Sequence, residues 1–369
     1  MAGIYVHIPF CHSKCAYCDF HSVALPPSRI ALAQSMTEAI VREYALRRDE
    51  LRDDVVRTLY FGGGTPSILP GDLFHRISDV LLGNNPHIEE FTIEVNPEDV
   101  TPGNVRMWCH AGVNRVSMGI QSFDDAELRC VSRRHSASAA IRAIDTLRTN
   151  GITNISGDLI YGLPGQTPGA WESNLRRLLE MRLPHFSAYC LSYEPGTLLT
   201  RKLERGDISE ATEDDIIEMY AILCDLARAA GYSHYEISNF CLPGMHSRHN
   251  SSYWDNTPYL GLGPSAHSYD GIARRFNPAD NAAYLDRPGQ PEIEILTESD
   301  IFDDLLIIRL RTSGGLDTGR LSPRRYKILM DRARGRIDTG DLVLDSDGIL
   351  LIPEDRWMLA DGIIRDLVD

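Results

Sequence analysis

The sequence lacks several features that define broad classes of protein. No stretch approaches the ~18 uninterrupted apolar residues of a membrane-spanning helix. The start, MAGIYVHIPF, has neither the basic nor the long apolar region of a secretory signal. Basic residues are too few for a nucleic-acid-binding protein as a whole, because the net charge is -15. These absences predict a cytoplasmic protein that has no transmembrane segment and binds no nucleic acid.

The length and composition indicate a folded protein with more than one unit. At 369 residues the chain fits a barrel-sized domain with a smaller appendage. Hydrophobic residues make up 43% and charged residues 24% of the sequence, which is typical of a globular protein. We therefore expect an ample core and two domains.

Six apolar runs of strand length recur before residue 194. They are GIYVHI (3–8), VRTLYFG (56–62), FTIEV (91–95), RVSMGI (115–120), ISGDLIYG (155–162) and HFSAYCLSY (185–193). Helical patterns follow them, at about 28–50, 70–82, 103–111, 136–149, 168–182 and 210–230. This alternation predicts an α/β fold with a parallel sheet covered by helices, as either an open sheet or a full or partial barrel.

Unusual residues lie at or just after the carboxyl ends of these runs. They are Gly62–Pro66, Glu94, Gln121, Asp158 and Glu194. The carboxyl ends of parallel strands form the active-site face of barrels and open α/β sheets. We therefore expect a site at this face.

The pattern changes after about residue 230. Residues 231–286 are rich in Gly, His, Asn and aromatic residues, and a stretch of this kind indicates a lid or a binding segment for substrate or haem. A joint marked by Pro and Gly, at 286–292, precedes the last segment, 293–369. Helical patterns and a short hairpin pattern at 341–353 predict a small winged-helix-like α+β domain there. Residues 1–230 would then form the main domain.

Three of the eight cysteines are clustered in CHSKCAYCDF, at Cys11, Cys15 and Cys18. A structural zinc site commonly takes two C-x2-C pairs, and no second pair exists. An odd number of thiols in a cytosolic protein does not suit disulfides. A [4Fe–4S] cluster held by three thiolates leaves one iron open to a substrate or cofactor, and we favour this interpretation.

The C-x3-C-x2-C pattern, with Tyr17 before its last cysteine, resembles the radical S-adenosylmethionine superfamily. Further motifs are similar to the branch that contains oxygen-independent coproporphyrinogen III dehydrogenase and its haem-chaperone relative. These motifs are YVHIPFC (5–11), GGGTPS (62–67), IEVNPE (93–98), GIQSF (119–123), DLIYGLPGQ (158–166), YEISNF (235–240) and HNSSYW (249–254). The resemblance implies a partial (β/α)6 barrel with a small C-terminal domain, a [4Fe–4S] cluster, and S-adenosylmethionine bound at the open iron.

The resemblance also implies which residues contact S-adenosylmethionine. They are Tyr5, Gly63, Gly64, Thr65, Glu94, Gln121, Arg133 and Asp158. Three of them have a structural alternative: a core position for Tyr5, a salt bridge to a barrel helix for Glu94, and a solvated surface position for Arg133. His7, His12 and His21 lie near the cysteines without a ligand spacing, and we interpret them as structural.

Two departures from the enzyme branch favour the haem-chaperone branch. The enzyme branch has a fourth cysteine where this chain has Phe20, and it has an N-terminal extension for which Cys11 leaves no room. The branch implies a haem-binding chaperone that delivers haem to respiratory haem proteins. The alternative is the dehydrogenase itself, a radical oxidative decarboxylase of porphyrin biosynthesis, and either would bind haem or another tetrapyrrole. Dimerisation is implied by the resemblance alone.

Haem binding needs an apolar slot and usually an axial imidazole or thiolate. The stretch 234–267 offers five candidates, which are His234, Cys241, His246, His249 and His267. HNSSYW matches a motif associated with haem in the chaperone branch, so His249 is our first candidate for the iron ligand. The same motif occurs in the enzyme branch, where it would serve a porphyrin substrate or the fold. No C-x2-C-H sequence is present, which argues against c-type attachment.

Overall fold

The structure, a computed structural model, describes residues 1–51 and 54–368. Its strands are β1 (Ala2–Ile8), β2 (Phe10–Cys11), β3 (Val23–Ala24), β4 (Val56–Gly63), β5 (Glu90–Val95), β6 (Arg115–Gln121), β7 (Asn154–Tyr161), β8 (His185–Cys190), β9 (Ser233–Glu236), β10 (Asn239–Cys241), β11 (Tyr259–Leu262), β12 (His267–Tyr269), β13 (Ala273–Phe276), β14 (Glu292–Ile295), β15 (Leu316–Asp317), β16 (Val343–Leu344) and β17 (Ile349–Leu351). Its α-helices are α1 (Ile30–Arg47), α2 (Gly71–Asn84), α3 (Pro102–His110), α4 (Asp125–Cys130), α5 (Ala137–Thr149), α6 (Pro168–Glu180), α7 (Leu198–Glu204), α8 (Glu213–Ala229), α9 (Arg248–Trp254), α10 (Asn281–Asp286), α11 (Glu298–Arg309), α12 (Pro323–Asp338) and α13 (Ala360–Arg365).

Six parallel strands form the centre of a twelve-stranded sheet. They are adjacent in the order β1, β4, β5, β6, β7 and β8, and each predicted apolar run falls on one of them. The predicted helices correspond to α1, α2, α3, α5, α6 and α8. The two edge strands of the sheet, β14 and β9, do not pair with each other in the described part of the chain. The α/β prediction with a partial (β/α)6 arrangement is therefore confirmed.

Two of the covering helices begin with the same local signal. Thr101 and Thr167 each cap a helix through the side-chain oxygen, and a proline follows at the first helical position of both α3 and α6. Trp108 on α3 and Trp171 on α6 are fully buried. These aromatic residues hold the helices against the outer face of the sheet through apolar burial.

The inner face of the parallel strands is polar. Glu94 on β5 lies beside Ser117 on β6, Ser117 beside Ser156 on β7, and Asp158 on β7 beside Ser187 on β8. Side chains two residues apart in a strand share a face, so successive strands add rows of polar groups to one interior. This interior leads to the carboxyl ends of the strands.

The segment 231–286 is built into the same sheet. The strands β9 and β10 extend it beyond β8, while β11 pairs with β1 in parallel and β12, β13 and β14 follow as antiparallel strands. Residue 293, where the last unit was expected to begin, lies inside β14. The expected three-part division of the chain stays a prediction.

The C-terminal part contains α11, α12, α13 and a small sheet in the order β15, β17, β16. The predicted hairpin is confirmed by the antiparallel pairing of β16 with β17. Helix α12 was not predicted from the sequence, because its many arginines obscure its apolar face. Among the described residues, no helix combines the length and apolar character needed to cross a bilayer.

Candidate metal centre and cofactor cavity

The cysteine loop, residues 12–22, is fixed at its middle by two distant segments. The Ala16 amide donates to the carbonyl of Val131 at 3.0 Å. The Leu199 amide, at the start of α7, donates to the carbonyl of Ala16 at 2.8 Å. Contacts within the protein therefore hold the loop over the carboxyl ends of the strands.

Cys11, Cys15 and Cys18 line one cavity of about 500 Å³. Burial raises the pKa of Cys11 and raises that of Cys18 to about 11, and the neighbouring thiols of the cluster add to both shifts. Cys190 lines the same cavity, where its thiol interacts with Tyr161 instead. The structure thus brings the three predicted ligands together.

A chain of hydrogen bonds connects two of the cluster thiols. The Thr65 hydroxyl donates to Cys11 Sγ at 3.4 Å, and the Asn96 amide donates to Thr65 Oγ1 at 3.3 Å. Arg133 donates to Asn96 Oδ1 at 2.6 Å and to Cys15 Sγ at 3.4 Å. Donors aimed at sulfur favour the thiolate over the thiol. The Thr65 hydroxyl thus offsets part of the rise in pKa that burial imposes on the Cys11 thiol.

Arg133 lies in the cavity and not on the surface. Burial opposes its charge, but Tyr17 and Cys15 raise the pKa of the guanidinium. It also donates to the carbonyl of Gly119 at 2.6 Å. Gln121 lines the same wall with φ of 64°, a left-handed conformation that is uncommon outside glycine. The solvated alternative for Arg133 is excluded in this structure.

Two buried carboxyl groups, Glu94 and Asp158, complete the polar wall. Glu94 accepts from the Tyr60 hydroxyl at 2.8 Å and from the Gly63 amide at 3.2 Å, and burial raises its pKa to about 7. Asp158 accepts from the Ser117 hydroxyl at 3.2 Å, and burial raises its pKa. Neither carboxyl group forms a salt bridge with a described residue, so the barrel-helix alternative for Glu94 does not occur here.

The glycines after β4 are required by packing within the protein. A side chain at Gly63, where φ is 103°, would meet the His7 ring at 2.6 Å. A side chain at Gly64 would lie 2.5 Å from the Phe10 carbonyl oxygen. Both glycines and Thr65 line the cavity, and their contact with S-adenosylmethionine stays a prediction. Close packing against β1 and β2 explains the identity of the two glycines without any ligand.

Tyr5 lies below the cavity rather than in its wall. Its hydroxyl is 3.2 Å from His7 Nδ1, and its ring centroid is 6.0 Å from that of Tyr60. Burial, followed by the nearby charge of Glu94, raises the pKa of Tyr5. The Tyr5 ring therefore lies beside Tyr60, whose hydroxyl donates to Glu94.

His249 lies at the opposite end of the strands, close to their amino ends. Its Nδ1 is 2.8 Å from Thr58 Oγ1, and its Nε2 is 2.9 Å from the Tyr253 hydroxyl. The ring stacks on Tyr60, and burial lowers its pKa to about 3. Both ring nitrogens are thus occupied, so the ring is a neutral member of a closed network in this conformation.

The other candidate haem ligands are dispersed. His234 contacts Glu354 of the C-terminal part, and Cys241 is fully buried in β10. His246 packs against an aromatic ring, whereas His267 is exposed on β12. The structure does not bring the members of the 234–267 stretch into one site.

The three histidines near the cysteine loop have protein partners. His7 Nε2 is 2.8 Å from the carbonyl oxygen of His21. His12 Nε2 is 2.8 Å from an Asp99 carboxylate oxygen, and His21 Nε2 is 2.9 Å from Asn281 Oδ1. These contacts are consistent with the structural roles expected from the sequence.

Several cavity residues received no role in the sequence analysis. Asn96 and Ser117 contact predicted site residues, and Lys14, Phe20 and Tyr189 line the cavity. Asn96 follows Glu94 in IEVNPE, and Ser117 is polar within an apolar run. Both signals were available, since strand alternation places Ser117 on the interior face.

The family model of the Radical SAM superfamily matches residues 5–178. The chain is 34% identical to the Heme chaperone HemW of Lactococcus lactis over 317 residues, which cover 85% of this chain and 82% of that protein. It is 32% identical to the Heme chaperone HemW of Mycobacterium tuberculosis over 381 residues, which cover 99% of this chain and 94% of that protein.

The fold is similar to that of coproporphyrinogen III oxidase (HemN) from Escherichia coli, a radical SAM enzyme. The TM-score is 0.85 at 22% sequence identity, and the match covers 100% of this chain and 90% of that one. An identity this low shows a common fold alone. The matches to the curated relatives carry the assignment, because they combine higher identity with nearly full coverage. This chain therefore belongs to the radical SAM superfamily and, within it, to the family of the heme chaperone HemW.

Proposed function

We propose that this chain is a haem chaperone that carries a [4Fe–4S] cluster and S-adenosylmethionine and delivers haem to respiratory haem proteins. The observation that carries the proposal is 34% identity to a heme chaperone across 85% of the chain. The cavity at the carboxyl ends of the parallel strands supports it, because its donor groups suit the two cofactors of the superfamily.

Cys11, Cys15 and Cys18 would hold the cluster. Three sulfur donors share one cavity, and two of them accept hydrogen bonds from Thr65 and Arg133. When bound, such a cluster supplies an electron and an iron without a protein thiolate. The raised pKa of Cys11 and Cys18 means that binding must displace their protons, as metal coordination to thiols does. The donor set therefore fits the cluster.

Glu94, Asp158, Gln121 and Arg133 would orient S-adenosylmethionine, with Gly63, Gly64 and Thr65 beside them. This ligand carries a sulfonium, an ammonium and ribose hydroxyls. Two buried carboxyl groups that form no salt bridge with a described residue are costly to ionise until a cation or hydroxyl reaches them. A cationic, hydroxyl-bearing ligand fits this wall, and the Tyr60 hydroxyl would hold Glu94 in place.

Haem is a flat, largely apolar ring, and two aromatic side chains are exposed at the cavity. Phe20 is 63% exposed and Tyr189 is 43% exposed, and both line the cavity. We propose that they contact the haem plane. Ligation by His249, at the opposite end of the strands, would require a different haem position; it stays a prediction, and Nε2 could bind iron only after the Tyr253 hydroxyl had moved away. The homodimer, the cytoplasmic location and the absence of nucleic-acid binding also stay predictions.

The test uses anaerobically reconstituted full-length protein in two assays on one sample. We expect haem titration to shift the Soret band, and the loaded protein to transfer haem to a haem-free respiratory b-type cytochrome faster than an equal amount of free haem does. The same sample should not convert coproporphyrinogen III to protoporphyrinogen IX. Turnover of coproporphyrinogen III would establish the dehydrogenase instead, which the low-identity fold match does not favour.

A further inference from the structure

A second group of metal-ligating side chains lies far from the cysteine loop. Cys224 on α8, His234 on β9 and Glu354, which follows β17, each offer one ligand atom, and these atoms all lie within 4.8 Å of one another. They line a cavity of about 380 Å³ between the barrel and the C-terminal part. Nothing in the proposed function uses this cavity.

Acceptors face both nitrogens of the His234 ring. Nδ1 lies 2.9 Å from Glu354 Oε1, and Nε2 lies 3.4 Å from the carbonyl oxygen of Ile237. A neutral imidazole has one N–H and can satisfy only one acceptor. When the N–H at Nε2 donates to the Ile237 carbonyl, a cation at Nδ1, either a proton or a metal ion, satisfies the Glu354 carboxylate. Metal-binding histidines commonly donate the second N–H to a backbone carbonyl, and this ring is oriented to do so.

The surroundings hold the three side chains in place. The His234 ring centroid is 4.0 Å from that of Phe240 and 4.3 Å from that of Trp357. The second oxygen of Glu354 accepts from Arg228 at 2.6 Å, so a metal at the first oxygen leaves that bond intact. Ligand carboxylates are usually hydrogen-bonded in this way. The ligand side chains are therefore oriented before any metal arrives.

We propose that Cys224, His234 and Glu354 bind one Zn²⁺ ion that ties the C-terminal part to the barrel, with water as the fourth ligand. Thiolate, imidazole and carboxylate are all ligands that zinc accepts, and ligand atoms around tetrahedral zinc lie roughly 3–4 Å apart. Side-chain movements of about 1 Å would bring the three ligand atoms from their present separations to those around zinc. The site is independent of the proposed haem function.

The test uses the full chain with Cys11, Cys15 and Cys18 changed to serine, so that the cysteine loop binds no metal. Cobalt(II) serves as the spectroscopic probe under anaerobic conditions. We expect one equivalent to give a thiolate-to-cobalt charge-transfer band that added zinc removes. Zinc should raise the melting temperature by a few degrees, because it binds the folded chain preferentially.

Two variants and one control in the same background locate the site. Cys224→Ala should remove the charge-transfer band, and Glu354→Gln should weaken zinc binding at least tenfold. Cys109→Ala is the matched control, because Cys109 is a partly buried thiol on α3 outside the group. Absence of the band in a parent protein of native circular dichroism overturns the proposal. A charge-transfer band that persists in Cys224→Ala also overturns the proposal.

Discussion

Two glutamates on one strand point to the same face but have different surroundings. Glu90 begins β5 and accepts from the backbone amides of Arg248 and His249, both at 3.0 Å, at the start of α9. Glu94 ends the same strand, and burial raises its pKa to about 7. The carboxylate of Glu90 accepts from amides at the start of a helix, whereas Glu94 lines a cavity and forms no salt bridge with a described residue.

The same contrast holds for the two ends of the barrel. At the amino end, His249, Thr58 and Tyr253 satisfy one another. At the carboxyl end, burial raises the pKa of Glu94, Asp158 and Cys18, and the hydrogen bonds that these groups accept do not cancel the shift. Polar groups in a barrel interior do not by themselves indicate a ligand. Buried carboxyl groups that line a cavity and form no salt bridge with a described residue are a better indication, since an ionised carboxylate is costly to bury.

The largest expected effect is at the cysteines. Cys15→Ser should abolish the brown iron–sulfur chromophore, because serine is a poor ligand for iron in this setting. The measurement is the visible absorption and iron content after anaerobic reconstitution. Cys109→Ser, a change on α3 outside the cavity, should leave both unchanged. A chromophore that survives in Cys15→Ser would contradict the proposal that this cavity binds the cluster.

Arg133→Met should have the next largest effect. The change leaves Asn96 Oδ1, the Gly119 carbonyl and Cys15 Sγ without their donor, at a cost of roughly 3–5 kcal/mol in the free energy of unfolding. It also removes a positive charge beside a cluster ligand, so the reduction potential of the cluster should fall. Arg134→Met is the control, since Arg134 is exposed. Equal potentials in the two variants would contradict the role given to Arg133.

Substitutions at the amino end of the barrel should change the free energy of unfolding, whether or not they change haem binding. His249→Ala removes the partner of two hydroxyl groups, which should lower the free energy of unfolding by about 2 kcal/mol as measured by urea denaturation. If His249 binds iron, this variant also loses the Soret shift. Tyr253→Phe frees Nε2 and should then tighten haem binding several-fold. An unchanged Soret shift in His249→Ala would exclude it as the ligand.

The parallel strands and the carboxyl-end site were predictable because their signals are local. Apolar runs fix the strands, and parallel strands bring their carboxyl ends to one face, so Glu94, Gln121 and Asp158 converge without further information. Arg133 also reaches the cavity, although its surrounding sequence, SRRHS, is typical of a surface.

The position of His249 was not predictable in the same way. Its motif lies on α9, and the carboxylate of Glu90 fixes the start of that helix across more than 150 residues. No local pattern reports such a contact. The group formed by Cys224, His234 and Glu354 was hidden for the same reason, because its members come from three elements that meet only in the folded chain.

The smallest expected effect is the pH dependence that Glu94 imparts to S-adenosylmethionine binding. Its folded pKa of about 7 lies above the usual 4.5, so the folded protein loses stability as pH rises between these values. A cationic ligand compensates the ionised form, and affinity should therefore fall roughly tenfold from pH 8 to pH 6.

Glu94→Gln isolates this contribution, because the amide keeps the hydrogen-bonding shape without the charge. The ligand's own ammonium titrates in both proteins, so the difference between the two pH profiles of the dissociation constant belongs to Glu94. Glu90→Gln should leave the wild-type profile unchanged, since that carboxylate faces backbone amides. Identical profiles for wild type and Glu94→Gln would mean that Glu94, like Glu90, serves the fold alone.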